Sequence, residues 1–218
     1  MTKNNDTIVD IGEEIDPFEN FVFIQFENGD KYEGEVENGV AHGIGVYFFA
    51  NGDKYYGSFE NGVIEGYGEA NYSNGDKYEG KWINWKQEGE GTFTWENGDV
   101  YKGEWENGSM SGKGVFVWVN GNTYTGTWKD GERHGKGIFI EKESGFKYNG
   151  SFVKGKMCGK GEARYPSGDI YVGEFKNNLR HGKGKYFYND GTLIEGVFVR
   201  GEIKDIQNER KNQTKKTR

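Results

Sequence analysis

The sequence predicts an all-β fold: an elongated, open, solenoid-like and twisted antiparallel sheet made of tandem β-hairpins. Three observations carry this expectation. A unit of 23 residues recurs along the chain, glycine supplies 37 of 218 residues, and aromatic residues make up 16% of a chain that is only 33% hydrophobic. Ordinary proteins hold roughly 7% glycine, and this chain has more than twice that share. Proline is scarce and glycine does not fall at every third place, which excludes collagen. The aromatic content excludes a disordered chain. A conventional two-layer globule is excluded too, because its apolar fraction is about 45–50%.

The repeat shows in NGDKYEGEV, NGDKYYGSF, NGDKYEGKW and NGDVYKGEW, spaced by 23 residues. Seven units begin at Tyr32, Tyr55, Tyr78, Tyr101, Tyr124, Tyr148 and Tyr171, and the unit from Tyr124 carries one extra residue within 141–144. Half-units at 22–31 and 194–203 flank them. The chain therefore divides into an acidic N-terminal segment (1–21), the repeat array (22–203) and a basic C-terminal tail (204–218).

Each unit reads as two strands and two turns. In the unit from Tyr101, Tyr101, Gly103 and Trp105 alternate, then Gly112, Gly114, Phe116 and Trp118. Period-two alternation is the mark of a β-strand with one face of that composition. Gly108 and Asn120-Gly121 supply the turns, since glycine and asparagine accept positive φ. Glycine opposite a ring leaves space for the ring to lie over the backbone. If the strands pair symmetrically about the turn, Trp105 faces Gly112 and Tyr101 faces Phe116. The expected structural face is aromatic: the seven unit-leading tyrosines together with Trp82, Trp105 and Trp128. Glycine is too frequent for helices, and a 23-residue unit holds two strands rather than the four of a propeller blade. About sixteen strands at roughly 4.8 Å spacing would run on the order of 75 Å.

Several kinds of chemistry are not expected. Cys158 stands alone, so neither an intrachain disulfide nor a thiolate cluster can form. His42, His134, His181 and Cys158 occupy one repeat position, which puts neighbours roughly 9–10 Å apart, whereas zinc holds ligands at about 2.0–2.3 Å. Gly-x-Gly recurs in every unit without the longer phosphate-loop form. No nucleophile–base–orienter set can be assembled, and 15 residues after the array cannot hold a catalytic domain. The expectation is a non-enzyme with no cofactor and no metal. No run of ~20 apolar residues and no signal peptide are found, which reads as a soluble intracellular protein.

Charge is distributed unevenly. Residues 1–100 carry 6 Lys+Arg and 21 Asp+Glu, a net −15, while residues 101–218 carry 22 and 14, a net +8, which together give the chain's −7. Lys113, Lys136, Lys160 and Lys183 hold one place, between the two inner glycines, in four consecutive units, with Arg133 and Arg180 nearby. The same place in the first three units holds Ile44, Tyr67 and Glu90. Alternation points the lysines away from the aromatic face. They are either a solvated face or a dock for an acidic protein surface or anionic lipid headgroups. Nucleic-acid binding is not expected, because the rings are committed to the repeat and the chain is acidic overall.

The unit Tyr-x-Gly-x-[Phe/Trp]-x-x-Gly-x-x-x-Gly-x-Gly resembles that of the MORN-repeat family, over about 180 of 218 residues. Departures are Trp85 and Asn178 for the mid-unit glycine, Ala70 and Ala163 for an inner aromatic, and Ile194 for the leading tyrosine. Residues 122–152, with Ser144-Gly145-Phe146-Lys147-Tyr148 closing the longer unit, are similar to the radial spoke head MORN proteins of cilia and flagella. The resemblance implies a non-catalytic scaffold of a cytoskeletal assembly: a radial spoke head component in the cytoplasm, at the ciliary axoneme. Its partners would be spoke head subunits or a related MORN paralogue, in a homo- or heterodimer. The alternative is a membrane-associated tether that binds anionic phospholipids through the basic C-terminal half, as the resemblance to junction-forming proteins and lipid kinases with MORN arrays implies. The acidic net charge opposes it, and a Met-Thr start offers no myristoylation signal.

Overall fold

The computed structural model describes residues 21–210 and the backbone of residues 7–8. The expected acidic segment thus lies outside the described residues except for 7–8 and Phe21, as do residues 211–218 of the basic tail. The chain forms two compact units, 1–109 and 110–218. The first holds β1 (Thr7–Ile8), β2 (Phe21–Gln25), β3 (Lys31–Glu37), β4 (Val40–Phe48), β5 (Lys54–Glu60), β6 (Val63–Asn71), β7 (Lys77–Ile83), β8 (Lys86–Thr94) and β9 (Val100–Glu106). The second holds β10 (Ser109–Val117), β11 (Thr123–Lys129), β12 (Glu132–Ile140), β13 (Lys147–Val153), β14 (Lys156–Arg164), β15 (Ile170–Lys176), β16 (Leu179–Phe187), β17 (Leu193–Val199) and β18 (Glu202–Arg210). Within each unit successive strands pair antiparallel, and no helix occurs among the described residues. The fold is all-β, an open sheet of tandem hairpins, as expected.

Two kinds of turn alternate. The first joins the two strands of a unit through two residues with positive φ, as at Asn38 (51°) and Gly39 (78°). Two consecutive positive φ values make the turn whose twist matches that of the strands. Trp85 and Asn178 take the glycine place at φ 66° and 69°. A bulky residue there is strained, and in return the Trp85 ring packs 5.1 Å from Tyr47 and 6.1 Å from Phe49.

The second turn contains the Asn-Gly-Asp motif, and the structure gives each of its residues a task. Asn51 accepts the Asp53 backbone N–H at 3.0 Å, and Gly52 turns the chain. The aspartate reaches into the next turn of the array. Asp30 accepts the Ala50 N–H at 2.7 Å, Asp53 that of Ser73 at 2.8 Å, Asp76 that of Glu96 at 2.8 Å, and Asp169 that of Asn189 at 2.9 Å. A ladder of charge-assisted bonds thus ties consecutive hairpins together. Burial opposes ionisation of Asp30. The bonds from Ala50, Tyr47 and Asn28 outweigh it and hold the carboxyl below the usual carboxylate range.

The register departs from the symmetric expectation. In β11–β12, Tyr124 faces Phe139 as anticipated, but the register shifts between Gly126 and Thr127, and Trp128 faces Arg133. The glycine opposite each second ring comes from the preceding hairpin: Gly89 faces Trp105, and Gly112 faces Trp128. The expected Trp105–Gly112 pairing is therefore corrected to Trp105–Gly89. The cause is a bulge in each unit, held by the tyrosine hydroxyl. Tyr124 Oη donates to the Thr127 carbonyl at 2.9 Å, Tyr78 to that of Lys81 at 3.0 Å, and Tyr171 to that of Glu174 at 3.0 Å.

These tyrosines are the core. All seven are 0% exposed. Tyr55, Tyr78, Tyr124, Tyr148 and Tyr171 each lie across two facing glycines, with flanks closed by edge-on rings of their own and the next unit. Tyr78, for example, sits 5.1 Å from Trp82 and 5.2 Å from Trp105. One sheet layer thus buries its rings beneath one another, which is how a chain poor in aliphatic residues forms a core.

Burial also sets a pH limit. It pushes the Tyr32, Tyr124, Tyr148 and Tyr171 phenols up to about 12. An unfolded tyrosine ionises near ~10, so the stability they contribute is complete below ~10 and is lost as pH rises through about 12. A phenolate absorbance titration should show these tyrosines ionising only together with loss of the β circular dichroism signal. Reversible ionisation near pH ~10 by all tyrosines of a folded chain would contradict the buried-ring core.

At the C-terminal end, β18 carries the pairing to Arg210, opposite Leu193. Residues 204–210, placed in the tail by periodicity alone, form a strand.

Candidate protein-docking face

Each sheet has two faces. The aromatic face is closed by its own rings, so Tyr32, Tyr55, Tyr78, Tyr101, Tyr124, Tyr148, Tyr171, Trp82, Trp105 and Trp128 are core residues there, all buried. The opposite face carries the residues that alternate with them and, among the described residues, has no second layer within its unit.

In the second unit that face presents the lysine row. Lys113, Lys136, Lys160 and Lys183 are all exposed. They stand opposite Thr127, Ser151, Glu174 and Val197 on the following strands. Lys136, Lys160 and Lys183 line one groove, whose floor is the glycine backbone of Gly150, Gly161 and Gly173. The side-chain positions of those glycines point to the Tyr148 and Tyr171 rings on the other face, so the outer face shows their backbone between flanking residues whose side chains stand up on it. Two carboxylates, Glu162 and Glu174, share it.

Arg133 and Arg180 do not join this row. Each lies on the aromatic face with its guanidinium over several rings. Arg133 sits 5.4 Å from the Phe139 and Phe152 centroids, and Arg180 sits 4.9 Å from Tyr186 and 5.6 Å from Phe198. Each donates to a turn carbonyl at 2.7 Å, Arg133 to Gly155 and Arg180 to Gly201. Strand alternation explains the separation. The inserted pair of residues keeps the alternation of β12, so Arg133 and Lys136, three apart, point to opposite faces. Cation–π contact and a carbonyl partner suit these two positions to fastening neighbouring hairpins.

In the first unit the same face is of opposite character. Its groove runs over Gly57, Gly68, Gly80 and Gly91 and is bordered by Tyr56, Tyr67, Glu69, Glu79 and Glu90. Sequence reading noticed Ile44, Tyr67 and Glu90 as replacements for lysine but missed Tyr56, Glu69 and Glu79. Their shared position beside the paired glycines was the signal. The histidines and Cys158 form no group of three or more possible metal ligands among the described residues.

The structure is similar to the TCP10 domain of Danio rerio CPAP solved in complex with a peptide of Danio rerio STIL, with a TM-score of 0.52 and 11% identity over 88% of this chain and 84% of that one. It is also similar to the TCP10c domain of Drosophila melanogaster Sas-4, with a TM-score of 0.39 and 14% identity over 82% of this chain and 99% of that one. At 11% identity the likeness to the CPAP domain concerns the fold alone. No curated protein sequence matches the chain significantly. The family model described as MORN repeat matches residues 32–54, 55–77, 78–100, 101–123, 124–140, 148–170 and 171–193. Seven matched units cover more than half of the chain, and with the hairpin register and the stacked tyrosines they place it in the MORN-repeat family.

Proposed function

We propose that this chain is a structural scaffold of a protein assembly, a component of the radial spoke head of the ciliary axoneme. MORN arrays are in general non-enzymatic repeat scaffolds. The observation that carries the reading is the outer face of the second unit, where a lysine row lines an open groove while the other face is occupied by the core. A surface of this kind suits an acidic protein partner. The CPAP TCP10 domain, which shares the fold, was solved with a peptide of another protein, and this supports proteins as the class of partner. The axonemal address rests on the likeness of residues 122–152 to radial spoke head MORN proteins.

The test replaces Lys113, Lys136, Lys160 and Lys183 with glutamate. The fold should be unchanged by circular dichroism, because all four side chains are exposed. Entry into the native complex should slow by at least about tenfold, since steering by opposite charge raises association rates 10–10³-fold. A tagged wild-type copy should locate to the axoneme of a ciliated cell. Unchanged complex entry at low salt would refute the lysine dock. Sedimentation of the wild type with anionic liposomes, together with absence from the axoneme, would favour the tether.

A further inference from the structure

The outer groove of the first unit has three features that bear on what it can bind. It holds two large exposed rings, Tyr56 at 56% and Tyr67 at 66%, in a protein whose seven unit-leading tyrosines are sealed. Its floor is bare glycine backbone, open to close approach along the whole run of strands from β4 to β9. Its carboxylates are also set against one another: Glu69 and Glu79 are direct cross-strand partners on one face. Like charges directly opposite destabilise a sheet. Among the described residues Lys102 is the one cation in the groove lining, and Lys81 stands opposite Tyr67 beside it.

Exposed tyrosines, opposed carboxylates and a side-chain-free floor suit an extended basic segment, whose cations relieve the repulsion and whose stems and backbone lie against the rings. The chain holds such a segment outside the described residues. Residues 211–218, KNQTKKTR, carry Lys211, Lys215, Lys216 and Arg218 and no acidic residue. By contrast, residues 21–109 hold 6 basic and 17 acidic residues, a net −11. Six strands, β4 to β9, span five gaps of roughly 4.8 Å, about 24 Å, a distance that about seven or eight extended residues at roughly 3.3 Å each would cross.

We propose that the tyrosine-walled groove of the first unit binds residues 211–218 of a second copy of this chain as an extended strand lying across β4–β9. The contact joins copies through a linear segment and a groove. It does not use the lysine row, so it stands or fails separately from the docking reading above.

The experiment is sedimentation velocity of the full chain across a hundredfold concentration range, at low and at high salt. Reversible self-association is expected at low salt and should weaken at least tenfold at high salt, where screening removes the attraction. Tyr56→Ala combined with Tyr67→Ala, on an exposed face, should leave the circular dichroism spectrum intact and weaken association at least tenfold. Lys215→Glu with Lys216→Glu should do the same, and a synthetic KNQTKKTR peptide should compete. The four-lysine variant described above should still self-associate. A chain that stays monomeric throughout overturns the proposal, as does association that survives both the double-tyrosine and the double-lysine variants. Peptide binding by a chain whose mass stays monomeric overturns the second-copy assignment and points to the chain's own segment.

Discussion

Tyr78→Ala is expected to cost about 3–5 kcal/mol, the range for removing a large buried ring from a core. Tyr78 is 0% exposed, with Trp82 and Trp105 standing edge-on at 5.1 and 5.2 Å. Its hydroxyl also holds the bulge by donating to the Lys81 carbonyl at 3.0 Å. Loss of the ring opens a cavity between two glycine strands whose backbones are already paired and cannot collapse into it. Repeat arrays propagate stability between neighbours, so the loss should appear first in the first unit. Guanidinium unfolding followed by tryptophan fluorescence would read it directly, because Trp82 and Trp105 flank the site. Tyr56→Ala is the control: its ring is on the outer face, and the change should stay within about 0.5 kcal/mol. Equal losses at both positions would show that the aromatic face is not the core.

Gly68→Val should be the next most damaging change, at about 1–3 kcal/mol or somewhat more from overpacking. A Cβ at Gly68 would lie 2.5 Å from Tyr55 Cε2 and closer still to the hydroxyl. The Tyr55 ring cannot withdraw, because Phe59 and Trp82 hold it at 5.4 and 5.3 Å. The useful comparison is Gly39→Ala. A Cβ there would meet nothing within 4 Å, but the backbone sits at φ +78°. The expected penalty is about 1–2 kcal/mol, from the left-handed conformation alone. The two glycines are required for different reasons, one for space and one for φ. Thermal melts of Gly68→Ala and Gly39→Ala, followed by rescue of the first with Tyr55→Phe or Tyr55→Leu, would separate them. Rescue of Gly39→Ala by the Tyr55 changes would contradict this account.

Much of the fold can be read from local pattern. The alternation in Tyr101, Gly103 and Trp105 named a strand face, and Asn-Gly pairs named turns, because strand period and positive φ are properties of a few neighbouring residues. The hairpin count follows from the 23-residue period. The lysine row could be found for the same reason, since four residues at one repeat position must share a face. The expectation failed wherever an interaction between hairpins set the outcome. Trp105 faces Gly89 rather than Gly112, and Arg133 stands on the aromatic face rather than beside Lys136. The first follows from the bulge, which no propensity in Gly126-Thr127 announces; Arg133 follows the alternation onto the aromatic face, where rings including Phe152 of the next hairpin hold it.

By itself, then, the sequence determined a string of two-stranded units with glycine and rings on one face and a change of charge along the chain. The tertiary structure decided which ring covers which glycine, which cations are exposed, and that the glycine floor opens as a groove on the outer face. The physical reason is that strand identity is a period-two matter of local sterics. Register, in contrast, is fixed by a tyrosine hydroxyl reaching a carbonyl and by rings packing against the next hairpin. Shifting one strand by one residue moves every side chain to the other face.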